Sequence, residues 1–371
     1  MKCPVRVSIG FIDEICPPPG IYAAYNAIGS ADKGIVHGLR RGHGVWPEAA
    51  PVRDWQENRF FKTCLLSDAL VGVSSAAVPL KAALYVDDGC RGSGVVRWAE
   101  MLRDSPDVEL KLVSGADIRD GALAGRDLLV MPGGHGGPQY KSLGDEGAAK
   151  LKAYVAGGGK YFGTCCGLAM ALNEDELPFR RIKLLPFKRV SGPVRGGFVA
   201  DVKFNARGLE FLALTNEHRN ITYHNGPIVE PAEAVALASN VEVLATMDCE
   251  LSQHGPVVNG MYGTPAAVRA NYGKGEVLAF NCHPEARADT RDIVVGGIRA
   301  LTGRTIALPR EEPRNGREAV GFMSSEFGDK SVLGRYLDMK REGKVYVVPL
   351  TQDDVSSGRA ATVDRIIGIS K

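Results

Sequence analysis

Between residues 80 and 173, short apolar runs that stop at glycine alternate with stretches of helical periodicity. LKAALYVDD (80–88) ends at a turn holding Gly89, Gly92 and Gly94, and the helical stretch VVRWAEMLRD (95–104) follows. VELKLVS (108–114) and DLLVMPGG (127–134) are further strand candidates. EGAAKLKAYVAGGG (146–159) is an amphipathic helix with a glycine stop, and the strand candidate KYFGTC (160–165) runs into GLAMALN (167–173). Strand, helix and strand in one sheet connect by right-handed crossovers, which make the strands parallel. The pattern predicts an α/β fold: a mostly parallel sheet with helices on both faces.

From about 187 to 285 the chain turns strand-rich, with FVADVKF, ITYHNG, VEVLATM, AAVRANYG and GEVLAFNCHPE, and this part reads as an insertion into the α/β pattern. DTRDIVVGGIRALTG (289–303) has helical periodicity. Three regions follow: an N-terminal extension over 1–80, the α/β domain over 81–303 and a C-terminal extension over 304–371. The first holds a proline cluster at Pro17 to Pro19 and no long periodic segment, so it reads as irregular. The stretch 60–79 has a faint look of a signal peptide, interrupted by Asp68; a true start near 60 would imply secretion or a periplasmic location. The Pro- and charge-rich tail after about 305 receives no assignment.

Composition excludes several classes. The formal net charge of +2 builds no field for nucleic acid or an anionic membrane, and no apolar run reaches the roughly 20 residues that span a bilayer. The eight cysteines, at 3, 16, 64, 90, 165, 166, 249 and 282, contain no CxxC pair, so neither a zinc site nor a disulfide scaffold is expected. No cofactor is expected either: Gln139 breaks a G-x-G-x-x-G reading from Gly134, and GGGKYFGT is not a phosphate loop. Free thiols fit a reducing compartment, the cytoplasm.

Three motifs carry candidate chemistry. Gly163-Thr164-Cys165-Cys166-Gly167 is G-x-C-x-G at a predicted strand-to-helix turn, the thiol counterpart of a nucleophile elbow. Only Cys165 has glycine two residues away on both sides. A helix N-terminus there favours a thiolate, and the carboxyl edge of an open α/β sheet is where its sites lie. His283-Pro284-Glu285 follows the apolar run EVLAFNC. His283 can serve as base and Glu285 as its orienting carboxylate, since residues two apart at a strand end face one side. Met131-Pro132-Gly133-Gly134-His135-Gly136-Gly137 ends another strand, where backbone N–H groups can meet an oxyanion. His135 and His224 read as structural or solvated, and Cys282 as core by strand alternation.

PGG at 132–134, G-x-C-x-G at 163–167 and HPE at 283–285 together resemble the class I glutamine amidotransferase-like superfamily. The nearest likeness within it is to the biotin-protein ligase N-terminal domain, carried by ALYVDDG, MPGG, YFGTCCGLAMA, YHNGP and ANYGKGEVLAFNCHPE. The resemblance covers about 81–303. It implies a flavodoxin-like or Rossmann-like sheet, a Cys-His-Glu triad on Cys165, His283 and Glu285, and an oxyanion hole at Gly133, Gly134 and the Cys166 N–H. It implies a small-molecule amide or acyl substrate, and a second copy or a partner enzyme as protein partners. Two departures stand out. Glutamine-using members carry Gln where this chain has Ala169, and no GRGR-like biotin motif or ligase catalytic domain is found, so the chain is not read as a biotin ligase. The expected function is a thiol-dependent amide hydrolase or transferase. The alternatives are a non-catalytic ligand-binding module on the same fold and a DJ-1/PfpI-like thiol protein.

Overall fold

The computed structural model describes residues 5–10, 18–27, 33–38, 78–175, 181–190, 196–230, 232–236, 240–250, 260–308, 318–323, 328–341 and 345–350. The chain divides into two compact units, Met1–Ala77 and Val78–Lys371. The first holds a strand-helix-strand unit: β1 (Val5–Gly10), α1 (Pro18–Ala27) and β2 (Lys33–Gly38). β1 and β2 pair in parallel from Val5 opposite Lys33 to Gly10 opposite Gly38. This differs from the irregular extension expected of the sequence. Pro18 and Pro19 do not break α1 because they lie in its first turn, where a missing N–H costs nothing. Of the 60–79 stretch with a signal-like look, residues 60–77 lie outside the described residues.

The second unit begins with β3 (Leu80–Tyr85), α2 (Gly92–Arg103), β4 (Val108–Val113), α3 (Gly115–Arg119) and β5 (Leu128–Met131). It continues with α4 (Gly136–Ala156), kinked at Gly144, then β6 (Lys160–Thr164) and α5 (Cys166–Ala171). The strand-rich segment supplies β7 (Gly197–Phe204), α6 (Ala206–Leu212), β8 (His218–His224), α7 (Ala232–Ala236), β9 (Val241–Met247), β10 (Pro265–Tyr272) and β11 (Gly275–Phe280). The predicted helix near 289–303 is α8 (Arg291–Thr302).

These strands form one nine-stranded sheet in the order β4-β3-β5-β6-β11-β10-β9-β7-β8. The first five are mutually parallel, and from β11 onward every pairing is antiparallel. Renumbered within the parallel part, the order is 2-1-3-4-5, the flavodoxin-like arrangement. β5, β6 and β11 end together: Met131 lies opposite Gly163, and Thr164 opposite Phe280. The three motifs therefore leave the sheet at one edge. β3, β5, β6 and β11 are almost wholly buried, as continuous apolar runs covered on both faces must be. Beneath the edge Trp98 meets Phe162 edge-on at 5.0 Å, and Phe162 stacks with Phe280 at 5.8 Å.

The tail is also built. β12 (Glu318–Met323) and β13 (Val345–Leu350) pair in parallel around α9 (Lys330–Arg341). Leu333, Tyr336 and Leu337, at i, i+3 and i+4, form a buried stripe on α9. The stripe lies against α2. There the Tyr336 hydroxyl donates to Glu100 at 2.6 Å and Lys340 to Asp104 at 2.7 Å, while Arg103 pairs with Asp338 at 2.6 Å. The high charge around this helix hid a stripe only three residues wide.

Candidate active site

The elbow is tight for a packing reason. A Cβ at Gly163 would lie 2.7 Å from the Gly167 carbonyl carbon, and one at Gly167 would lie 2.1 Å from the Met131 carbonyl oxygen. Neither contact is tolerable, so glycine is required where β6 turns into α5 beside β5. Cys165, at the turn itself, has φ 52° and ψ −105°, a conformation unusual for a residue with a side chain. Its N–H donates to the Phe280 carbonyl at 2.8 Å, which ties the elbow to β11. Its thiol lies 3.3 Å from the His224 carbonyl oxygen.

His283 and Glu285 reach the elbow from beyond β11. The His283 N–H donates to the Thr222 carbonyl of β8 at 2.7 Å, so the antiparallel part of the sheet comes back over this segment. Pro284–Ala286 then forms a single 3-10 turn. That turn, rather than strand alternation, puts both side chains on one side. His283 Nδ1 is 2.8 Å from Glu285 Oε1. A carboxylate only accepts, so the ring proton sits on Nδ1 and leaves Nε2 toward the sulfur. Burial alone would push the His283 imidazolium down; the Cys165 sulfur and the Glu285 carboxylate beside it reverse that and hold it well above the ordinary range.

The glycine loop closes the other side. A Cβ at Gly133 would come within 2.6 Å of His283 Cε1 and 3.5 Å of Cys165 Cβ, so the missing side chain is what lets ring and thiol approach. Gly134 forms a bridge with Cys90, closed by the Arg91 N–H to the Gly133 carbonyl (3.4 Å) and the His135 N–H to the Gly89 carbonyl (2.7 Å). The Gly134 N–H takes no part in that bridge. The Cys166 N–H is a first-turn donor of α5, a position without an intrahelical acceptor. All six residues singled out in the sequence thus converge on one edge.

The two adjacent thiols differ. Cys166 is buried, its Sγ 3.2 Å from Gln139 Oε1, and burial pushes its pKa far up. Burial likewise pushes Cys90 up to about 12 and Cys282 well above its usual value. His135 and His224 are exposed; burial, with Arg91 for His135 and His283 for His224, lowers both. Ala169 lies in α5, buried and without a polar group. Sequence reading missed Gly94, Trp98 and Thr164. Thr164 lies within 3.2 Å of Glu285 Oε1, Trp98 hydrogen-bonds Thr164, and a Cβ at Gly94 would lie 3.0 Å from the same Oε1. The available signal was the four-residue spacing of Gly94 and Trp98 on one helix face and the position of Thr164 just before the elbow. Elsewhere, Asp201, His218 and Asp248 bring their ligand-type atoms within 4.8 Å of one another, with His218 Nδ1 at 3.3 and 3.4 Å from the two carboxylates. Among the described residues, no helix is long and apolar enough to cross a membrane.

The fold is that of an open α/β sheet, and comparison with known proteins gives the class to which it belongs. The chain is 30% identical over 171 residues to the pyridoxal 5'-phosphate synthase subunit PdxT of Koribacter versatilis, covering 44% of this chain and 70% of that protein. It belongs to the class I glutamine amidotransferase-like superfamily. Within that group, residues 85–179 match the family described as biotin-protein ligase, N terminal. Solved structures similar to it include a glutamine amidotransferase from Thermotoga maritima, at 14% identity and TM-score 0.37, covering 59% of this chain and 82% of that one. Another is PurLQS from Thermotoga maritima, at 16% identity and TM-score 0.39, covering 61% and 100%.

Proposed function

We propose that this protein is a thiol-dependent amide hydrolase or transferase working through Cys165, His283 and Glu285. With the thiol proton already resting on His283 Nε2, the Cys165 sulfur bonds to the carbonyl carbon of an amide or related acyl group. The carbonyl oxygen becomes an oxyanion facing the N–H groups of the Gly133–Gly134 loop and Cys166. When the tetrahedral adduct collapses, His283 returns the proton to the leaving amine and a thioester remains. Water, or an amine supplied by a partner enzyme, then releases the acyl group. The observation that carries this reading is the 2.8 Å His283–Glu285 pair placed beside Cys165 by the side-chain-free Gly133. The name of the PdxT relative, a synthase subunit, supports a partner enzyme. Among the described residues, the free thiols of Cys90, Cys165, Cys166, Cys249 and Cys282 support a reducing compartment such as the cytoplasm.

Iodoacetamide at neutral pH, followed by peptide mapping, tests the reading. Cys165 is expected to label at least about tenfold faster than the half-buried Cys249, and His283→Asn to remove the advantage. Equal rates would overturn it. A second reading, a ligand-binding module without turnover, is favoured by the apolar Ala169 where glutamine-using members carry Gln. It would be adopted if Cys165→Ala bound a ligand as the unsubstituted protein does and neither hydrolysed amides.

A further inference from the structure

We infer that Thr164 is a positioning residue for the Glu285–His283 pair, oriented in turn by the indole of Trp98. The inference rests on the proposed role of that pair. Thr164 is the last residue of β6, and Trp98, Thr164 and Glu285 are all fully buried. Trp98 Nε1 lies 3.1 Å from Thr164 Oγ1, and Thr164 Oγ1 lies 3.2 Å from Glu285 Oε1. An indole N–H only donates and a carboxylate only accepts. The hydroxyl must therefore accept from Trp98 and send its own proton to Glu285, so its direction is determined by both neighbours.

Glu285 Oε1 thus receives two donors, Thr164 and His283 Nδ1, while the buried Oε2 has no partner among the described residues. Two bonds converging on one oxygen hold the carboxylate against rotation. Beside the pair Gly94, with no Cβ, leaves room where even a methyl group would stand 3.0 Å from Oε1 and 3.4 Å from His283 Nδ1. Removing the hydroxyl leaves Oε1 with His283 alone, and the carboxylate is then free to turn. His283 loses both its aim and the support of its imidazolium. The titratable groups around this pair are Cys165 at the β6–α5 turn, His224 at the end of β8 and Cys282 just before His283.

The test follows the His283 Cε1 proton by NMR in the full-length chain as pH is raised, assigned with His283→Gln. Thr164→Val is expected to lower the imidazolium midpoint by about one pH unit, a tenfold loss of proton affinity. Thr164→Ser should restore the midpoint, and Trp98→Phe should move it the same way by less. A merely structural Thr164 would lower thermal stability and leave the midpoint in place. A folded Thr164→Val with the unsubstituted midpoint overturns the inference. If that variant does not fold, an unchanged midpoint in Trp98→Phe does so. Iodoacetamide rates on the same samples separate the two ideas. Slow Cys165 labelling with a midpoint that still moves refutes the nucleophile and keeps the Thr164 coupling; fast labelling with a static midpoint does the reverse.

Discussion

At the scale of one residue, Cys165 carries a local backbone cost. Its φ of 52° and ψ of −105° belong to a region where a Cβ is crowded, and such strain is worth about 1–3 kcal/mol. The prediction is a comparison of two substitutions that both remove the thiol. Cys165→Gly should be more stable to urea than Cys165→Ala by about 1 kcal/mol, because alanine keeps the Cβ and glycine does not. At an unstrained position glycine would lose by a similar amount, so the sign is diagnostic. The special position of Cys165 was legible from Gly163 and Gly167, whose absent side chains are demanded by the Met131 carbonyl and by the turn itself. The role of Thr164 was not. Its partners stand 66 and 121 residues away, and a threonine at the end of an apolar strand has no local mark of what it will meet.

Among the elements, the parallel strands β3, β5 and β6 were legible as apolar runs, and the antiparallel ones by their position in a strand-rich stretch. The segment carrying His283 was read with the wrong geometry: the side chains converge through a 3-10 turn and a bridge to β8. Proline at the first position of that turn supplies a suitable φ, a cue that strand alternation obscured. Helix α9 shows the opposite case, an element overlooked because its apolar stripe is narrow. Its attachment to α2 should depend on the buried Tyr336 hydroxyl, which donates to Glu100 at 2.6 Å. Tyr336→Phe is expected to cost about 1.5–3 kcal/mol in chemical denaturation, the range for a hydrogen bond to a charged group. Cys165 labelling should be unaffected, since α9 does not touch the elbow.

At the scale of the whole molecule, the unit that starts at Val78 is compact and holds a continuous hydrophobic core within itself. A chain beginning at Val78 should therefore fold by itself. The expected result is a cooperative thermal transition and a near-UV circular dichroism band from buried Trp98, the one tryptophan of three that the shorter chain keeps. A non-cooperative melt would show that residues 1–77 complete the core.

The sequence by itself determined the class of fold, the edge at which chemistry would lie and which of two adjacent cysteines stands at the elbow. These properties are local: strand burial, glycine spacing and turn chemistry are written in consecutive residues. Only the tertiary structure decided that β8 returns to His283, that Gly133 leaves the gap through which ring and thiol meet, and that Trp98 and Thr164 hold Glu285 in place. Those relations depend on strand order and on the bridge from β8 to His283, which bring together residues that no local pattern connects.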